Sequence, residues 1–158
     1  DRAQHANRTF EDAYDRLIGD GHARPIDGAV EAISTLRNAG VKVALTTGFS
    51  ASTKEKLLAA LGWADIADLT LAPSEAGRGR PYPDLVLTSV LRLEVNDVRE
   101  VAVLGDTSSD VLAGHRAGAQ IVAGTLTGAH DAAQLSTAQP THIVHSVGEF
   151  ADIVLHRI

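Results

Sequence analysis

The stretch VAVLGDTSSDVLAGHRAGA, residues 101–119, decides the fold class of this chain. Its first four residues, 101–104, are all apolar, a pattern typical of a buried strand. Gly105-Asp106 ends the apolar run, and hydroxyl and acidic side chains as far as Asp110 favour the start of a helix, which we expect to reach about Ala117. The stretch therefore predicts a strand, a polar loop and a helix in immediate succession.

The same succession occurs earlier in the chain. The short β-rich run 41–45 predicts a strand, the turn Thr46-Thr47-Gly48 ends it, and Ser50 is placed to cap a helix through Leu61. Further strands are predicted at 69–71, 120–123 and 142–144, and further helices at 8–18, 27–38, 84–93 and 147–155, while 128–140 is the most loop-like long segment. Strands that alternate with helices predict the α/β class, with a parallel sheet covered by helices on both faces.

Length and composition fit a single globular domain. The 158 residues are 44% apolar, enough to bury one α/β core. The net charge of −6 opposes nucleic-acid binding, which normally requires a basic surface, and no apolar stretch approaches the ~20 residues that span a bilayer. The absence of cysteine excludes disulfides and thiolate metal sites. We therefore expect a cytoplasmic protein with neither nucleic acid nor membrane as a partner.

Polar residues at the ends of the two clear strands are candidates for chemistry, because ligands of open parallel sheets bind beyond the carboxyl ends of the strands. Asp106 and Asp110 could border one cavity, and two carboxylates suit Mg²⁺, which prefers oxygen ligands. The alternative is that these residues only cap the following helix.

Two other segments could contact an anion. The hydroxyl of Thr46 and the backbone amides of Thr47 and Gly48 lie where a turn opens a helix, although an ordinary turn would look the same. Arg78 and Arg80, in a segment stiffened by prolines, could neutralise a phosphate or a carboxylate, although many loop arginines are simply solvated.

The order of these segments resembles motifs two, three and four of the haloacid dehalogenase superfamily: a strand ending in threonine, a cation before Pro-x-Pro-Asp, and a strand ending in GDxxxD. Within the superfamily the likeness is closest to phosphonoacetaldehyde hydrolase and the phosphonatase-like hydrolases. It is found in RPIDGAVEAISTLRNAGVKVALTTGFS (24–50), GRPYPD (79–84), VAVLGDTSSDVLAGHRAGA (101–119) and GTLTGAH (124–130).

The resemblance implies a role for each candidate. Thr46 would bind the transferring phosphoryl group, with loop contacts from Thr47 and Gly48. Arg80 would orient the nucleophile and offset transition-state charge, Asp106 would be a Mg²⁺ ligand, and Asp110 would support the metal or its waters. The implied function is a magnesium-dependent phosphatase that acts on a small phosphorylated metabolite through an aspartyl-phosphate.

The chain departs from the family pattern in one respect, because it has no DxDxT-like motif to supply the nucleophilic aspartate. In the family that aspartate ends a central strand, between the strands that here end at Thr46 and Asp106. We therefore expect a C-terminal portion of a longer protein, with residues 1–20 as the last helix of a helical cap domain and residues 21–158 as a core that lacks its first strand. The 158-residue chain alone is predicted to be inactive.

Three alternatives remain at this point. The enzyme could cleave a carbon–phosphorus bond, as phosphonoacetaldehyde hydrolase does, or the chain could be a non-catalytic binding remnant of the same fold. A flavodoxin-like mononucleotide domain would leave Arg80 and Asp110 without a role. No histidine is interpreted as a metal ligand: His142 and His145 should point to opposite sides of a strand, and His130 is interpreted as a surface-loop residue.

Overall fold

The computed structural model describes residues 26–158, so the predicted helix within residues 1–20 lies outside the described part of the chain. The strands are β1 (Ala44–Thr46), β2 (Leu69–Leu71), β3 (Ala102–Gly105), β4 (Ile121–Thr125) and β5 (His142–Val144). The helices are α1 (Ala29–Asn38), α2 (Ala51–Leu61), α3 (Asp84–Arg92), α4 (Ser108–Ala117), α5 (Ala132–Ser136) and α6 (Val147–Leu155), with 3-10 turns at Pro73–Glu75 and Val98–Glu100. Along residues 26–158, no helix is both long and apolar enough to cross a membrane.

The strands form two parallel sheets, which confirms the predicted α/β class. One sheet pairs β1 with β2, and its register places Thr46 opposite Leu71. The other has the order β3–β4–β5, with Gly105 opposite Gly124. Because every pair is parallel, the carboxyl ends of the strands in each sheet lie at one edge, where the predicted site residues follow β1 and β3.

Helices cover both faces and join the two sheets. On one face α1 packs against α6, and the core between them includes Leu36, Ala123, Val144 and Phe150. On the other face α4 packs on β3 and β4 and also contacts α3, which reaches β2. The β4 strand is buried along its whole length, whereas β1 and β3 are only partly buried.

The partial burial of β1 and β3 reflects an unpaired edge on each strand. Among residues 26–158, β1 pairs only with β2, and β3 pairs only with β4. A cavity of about 650 Å³ lies at the amino ends of both strands, lined on one side by Val41 and Lys42 and on the other by Val101 and Ala102. The segments that lead into β1 and β3 therefore line a common cavity.

The structure corrects the interpretation of the segment 128–140. The segment 128–140, predicted to be a loop, contains the short helix α5. Asp131 caps this helix by accepting a hydrogen bond from the Gln134 amide, and the Gln134 side chain accepts one from the Asp131 amide. This reciprocal capping box is visible in the sequence as Asp-x-x-Gln, but the short apolar stripe that follows did not indicate a helix.

An ammonium group is buried beneath the β2 edge of the fold. Lys54, whose side chain is only 6% exposed, donates to Glu75 at 2.6 Å and to the Thr70 carbonyl at 3.2 Å, and it lies 3.2 Å from Glu55. Burial acts to lower the pKa of Lys54, but the hydrogen bonds to Glu75 and Glu55 outweigh it and raise this pKa. The same bond to Lys54, with the Ala72 amide, lowers the pKa of Glu75.

Glu75→Ala should therefore destabilise the fold by about 1–3 kcal/mol, below the range for a fully buried pair because Glu75 is partly exposed. Glu55→Ala removes only an exposed partner and should change stability by about 0.5 kcal/mol or less. Because the pKa of Glu75 is lowered on folding, its contribution is present above about pH 4.5 and is lost as the pH falls through the lower, folded value. Urea denaturation at pH 7 and pH 3 tests this: equal losses for the two variants, or a gap that does not narrow in acid, would contradict it.

Candidate functional site

The loop that joins β3 to α4 is built around the Asp110 carboxylate. Asp110 Oδ2 accepts hydrogen bonds from the backbone amides of Asp106 and Thr107, both at 3.0 Å, and from the Thr107 hydroxyl at 2.9 Å. The Thr107 side chain in turn accepts from the Asp110 amide and caps α4. A Cβ atom on Gly105 would lie 2.1 Å from the Asp110 Cβ, so the strand passes this side chain too closely for a larger residue. Asp110 thereby fixes the path of the backbone at Asp106.

Arg80 connects this loop to the other sheet. Its Nη1 atom donates to Asp110 Oδ1 at 2.6 Å, and both side chains are largely buried. Its Nη2 atom lies 3.5 Å from where a Cβ on Gly48 would be. The segment that carries Arg80 is also held by Arg116 of α4, which donates to the Pro81 carbonyl at 3.0 Å. A guanidinium is thus held between the turn after β1 and the start of α4.

Two groups at the end of β1 are candidates to bind an anion, the Thr46 hydroxyl and the Gly48 amide, because the Thr47 hydroxyl already accepts the Phe49 amide. Thr46 ends the strand with an exposed side chain whose hydroxyl contacts no hydrogen-bonding partner among residues 26–158. The Thr47 amide is already bonded to the Leu71 carbonyl at 3.1 Å, because the parallel ladder continues one residue past the strand. Across the part of the chain that the structure describes, the Gly48 amide has no such partner, so it is the better anion donor of the two predicted amides.

The segment after β4 contacts the Asp106 loop at several points. The Ala129 amide donates to Asp106 Oδ2 at 3.0 Å, and the His130 amide donates to the Asp106 carbonyl at 3.1 Å. The His130 ring accepts the Ser108 amide through Nδ1 at 3.0 Å. His130 is therefore half-buried against α4 rather than an exposed loop residue, which corrects the interpretation from the sequence.

The donor set at this edge fits a hard cation only in part. Within the described ranges, no cluster of three or more histidine, aspartate or glutamate side chains is arranged to hold a metal. Asp106 Oδ1 accepts no hydrogen bond from residues 26–158, so this oxygen can serve as a ligand, whereas both Asp110 oxygens already accept hydrogen bonds. Mg²⁺ commonly uses one or two carboxylates and completes its shell with water and phosphate. Asp106 fits that pattern as a direct ligand, and Asp110 fits as the residue that supports it.

The structure separates the two candidate arginines. Arg78 is mostly exposed, bonds Asp84 through Nε and Nη2 at 2.9 and 2.8 Å, and lies over the ring of Tyr82 at 4.2 Å. These hydrogen bonds lower the pKa of Asp84 and raise that of Arg78. Arg78 therefore stabilises its own loop through Asp84. Arg80 is the arginine that contacts Asp110 at the start of α4.

Comparison with known proteins gives concordant matches. The family model described as haloacid dehalogenase-like hydrolase matches residues 2–118. Phosphonoacetaldehyde hydrolase from Pseudomonas paraeruginosa is 37% identical over 110 residues, 68% of this chain and 39% of that protein. The crystal structure of a hydrolase from Pseudomonas syringae superimposes with a TM-score of 0.80 at 27% identity, covering 94% of this chain and 65% of that one.

A further solved structure, a haloacid dehalogenase family hydrolase from Deinococcus radiodurans R1 with bound phosphate and sodium, has a TM-score of 0.73 at 29% identity. It covers 83% of this chain and 59% of that one. The chain spans about two fifths of the length of the curated relatives that it matches.

Proposed function

Because this chain belongs to the haloacid dehalogenase-like hydrolase family, we propose that it forms most of the active site of a magnesium-dependent phosphatase for a small phosphorylated metabolite. One observation carries the proposal. Arg80 lies between Gly48 of the turn after β1 and Asp110 of α4, which brings all three predicted segments to one edge of the fold. A guanidinium in that position could bind a phosphate through charge-assisted hydrogen bonds.

Each segment has a distinct task in this proposal. The Thr46 hydroxyl and the Gly48 amide donate hydrogen bonds to nonbridging oxygens of the phosphoryl group. Arg80 neutralises charge that develops on those oxygens, and its bond to Asp110 holds the guanidinium in place before the substrate binds. Phosphoryl transfer requires mainly such positioning and charge stabilisation.

The carboxylates divide the work of binding a cation. Asp106 would hold Mg²⁺ through Oδ1, and Asp110 would keep the backbone at Asp106 fixed through its three hydrogen bonds. When bound, Mg²⁺ would neutralise phosphate charge as a Lewis acid.

The nucleophile is proposed to come from a segment outside the described residues. A carboxylate oxygen would attack phosphorus, the bond to the leaving group would break, and water would then hydrolyse the aspartyl-phosphate to inorganic phosphate. The unpaired edges of β1 and β3 support this proposal, because a strand between them would satisfy both edges and would end beside Thr46 and Asp106.

A second candidate reaction is hydrolysis of a carbon–phosphorus bond. It is favoured by the identity to phosphonoacetaldehyde hydrolases, which is 37% for the protein from Pseudomonas paraeruginosa. The same phosphate-binding residues would serve both reactions, so the leaving group distinguishes them.

The deciding assay measures inorganic phosphate released by the native protein that contains these residues. We expect release from p-nitrophenyl phosphate that stops when EDTA removes the metal and returns with added Mg²⁺. Release of phosphate and acetaldehyde from phosphonoacetaldehyde, with little release from the monoester, would favour the second reaction. No release from either compound, together with phosphate binding, would instead support a non-catalytic binding protein.

A further inference from the structure

The loop of residues 126–130, which follows β4, makes three hydrogen bonds with the segment 106–108. Two come from consecutive backbone amides: Ala129 donates to the carboxylate and His130 donates to the carbonyl. In the third, the loop is the acceptor, because the Ser108 amide donates to the His130 ring. The loop is therefore hydrogen-bonded both to Asp106 and to the first turn of α4.

We propose that His130 is a positioning residue that determines which oxygen of Asp106 faces a bound cation. Ser108 is the first residue of α4, and its amide has no acceptor within its own helix. The imidazole supplies that acceptor at 3.0 Å, so the side chain fastens residues 129 and 130 to the helix. The Ala129 amide is then held 3.0 Å from Asp106 Oδ2, and Oδ1 remains for the cation.

The arrangement requires an acceptor at one particular atom of the ring. A backbone N–H is directed at Nδ1, so Nδ1 is the ring atom that accepts in this contact. Asparagine places its side-chain oxygen at about the position of Nδ1, whereas glutamine places its oxygen at about the position of Nε2. A comparison of these two substitutions therefore shows whether the position of the acceptor atom matters or whether any side-chain amide is sufficient.

This inference rests on the proposed function only through the role of Asp106 as a cation ligand. Outer-shell groups that orient a ligand typically change metal affinity by about 10–100-fold when removed. Among the described residues, the loop acts on Asp106 through the Ala129 amide and not through contact of the imidazole with the carboxylate. We therefore expect an effect near the lower end of that range.

The test compares the native protein with His130→Ala, His130→Asn and His130→Gln. Hydrogen exchange at the Ser108 and Ala129 amides, followed by NMR without metal, reports the contacts directly. Titration with Mn²⁺, followed by electron paramagnetic resonance without substrate, reports the affinity of Asp106 for a cation. Phosphate release is measured separately. Thermal unfolding of each variant establishes that the comparison is between folded proteins.

We expect faster exchange at both amides and about tenfold weaker Mn²⁺ binding in the alanine and glutamine variants. The asparagine variant should remain within about threefold of the wild type. Faster Ser108 exchange with unchanged Mn²⁺ affinity would reduce His130 to a helix cap and overturn the proposal. Wild-type exchange rates in His130→Ala, or no Mn²⁺ binding by the wild type, would overturn it as well. The expected exchange and Mn²⁺ pattern without any phosphate release would support this inference and overturn only the proposed function.

Discussion

Asp106→Asn is expected to lower magnesium-dependent phosphate release by the native protein about 10³-fold, with little change in stability. The geometry explains why a nearly isosteric change should be so damaging. The Ala129 amide is a donor directed at the Oδ2 position, so the asparagine carbonyl oxygen will occupy that position. Its NH₂ group then takes the Oδ1 position and presents hydrogen-bond donors where a cation needs an oxygen ligand.

The matched control is Asp152→Asn, an exposed aspartate of α6. It makes the same change in charge and should leave both activity and metal dependence unaltered. The measurements are the rate of phosphate release as a function of Mg²⁺ concentration, and the thermal midpoint. Activity of Asp106→Asn close to that of the wild type would remove Asp106 from the metal site, whatever the fate of the other candidates.

Gly128→Ala is the second large effect, with an expected loss of about 10²-fold in kcat/KM. A Cβ at this position would lie 2.1 Å from Asp106 Oδ2, 2.3 Å from its Cβ and 2.5 Å from its Cγ. Carbon and oxygen atoms cannot approach that closely, so either the loop or the carboxylate must move. Gly128 is exposed and its φ lies outside the left-handed region, so the problem is one of space alone.

The loop can relax outward into solvent, so stability should fall by only about 1 kcal/mol or less. The control is Gly148→Ala in α6, where the nearest heavy atom would be 3.7 Å away and the helical backbone suits alanine. Steady-state kinetics and urea denaturation of the two variants provide the comparison. Equal kinetics in Gly128→Ala and Gly148→Ala would mean that the loop does not constrain Asp106 in the working protein.

The regular elements were largely predictable because local signals and burial agree along most of the chain. The run at 69–71 and the segment 147–155 were each placed at their observed bounds, and Ser50 caps α2 through a bond from the Thr53 amide. The first strand begins three residues later and ends one residue later than predicted, since apolar patterns do not show where hydrogen bonding begins. The separation of the strands into two sheets involves pairings between distant residues, which local patterns do not encode.

The sequence offers candidate site residues through their side chains, but it gives no sign of contacts made by the backbone. Thr46, Arg80, Asp106 and Asp110 were chosen as candidates from residue type and spacing, and the structure directs Arg80 to Asp110. The contacts of the 126–130 loop come mainly from peptide N–H groups, which every residue except proline possesses, so no residue type marks them. A histidine that accepts a backbone amide likewise has no sequence signature.

The unpaired edges of β1 and β3 have a thermodynamic consequence for any ligand of this site. Thr46 belongs to one sheet and Asp106 follows the other, so a phosphate bound by Thr46 and, through Mg²⁺, by Asp106 would link two parts of the fold that share no strand pairing among residues 26–158. Binding of this ligand would then raise the free energy of unfolding by RT ln(1 + [L]/Kd). The free energy of unfolding should therefore increase as substrate or product saturates the site, because the same contacts bind the ligand and hold the two sheets together.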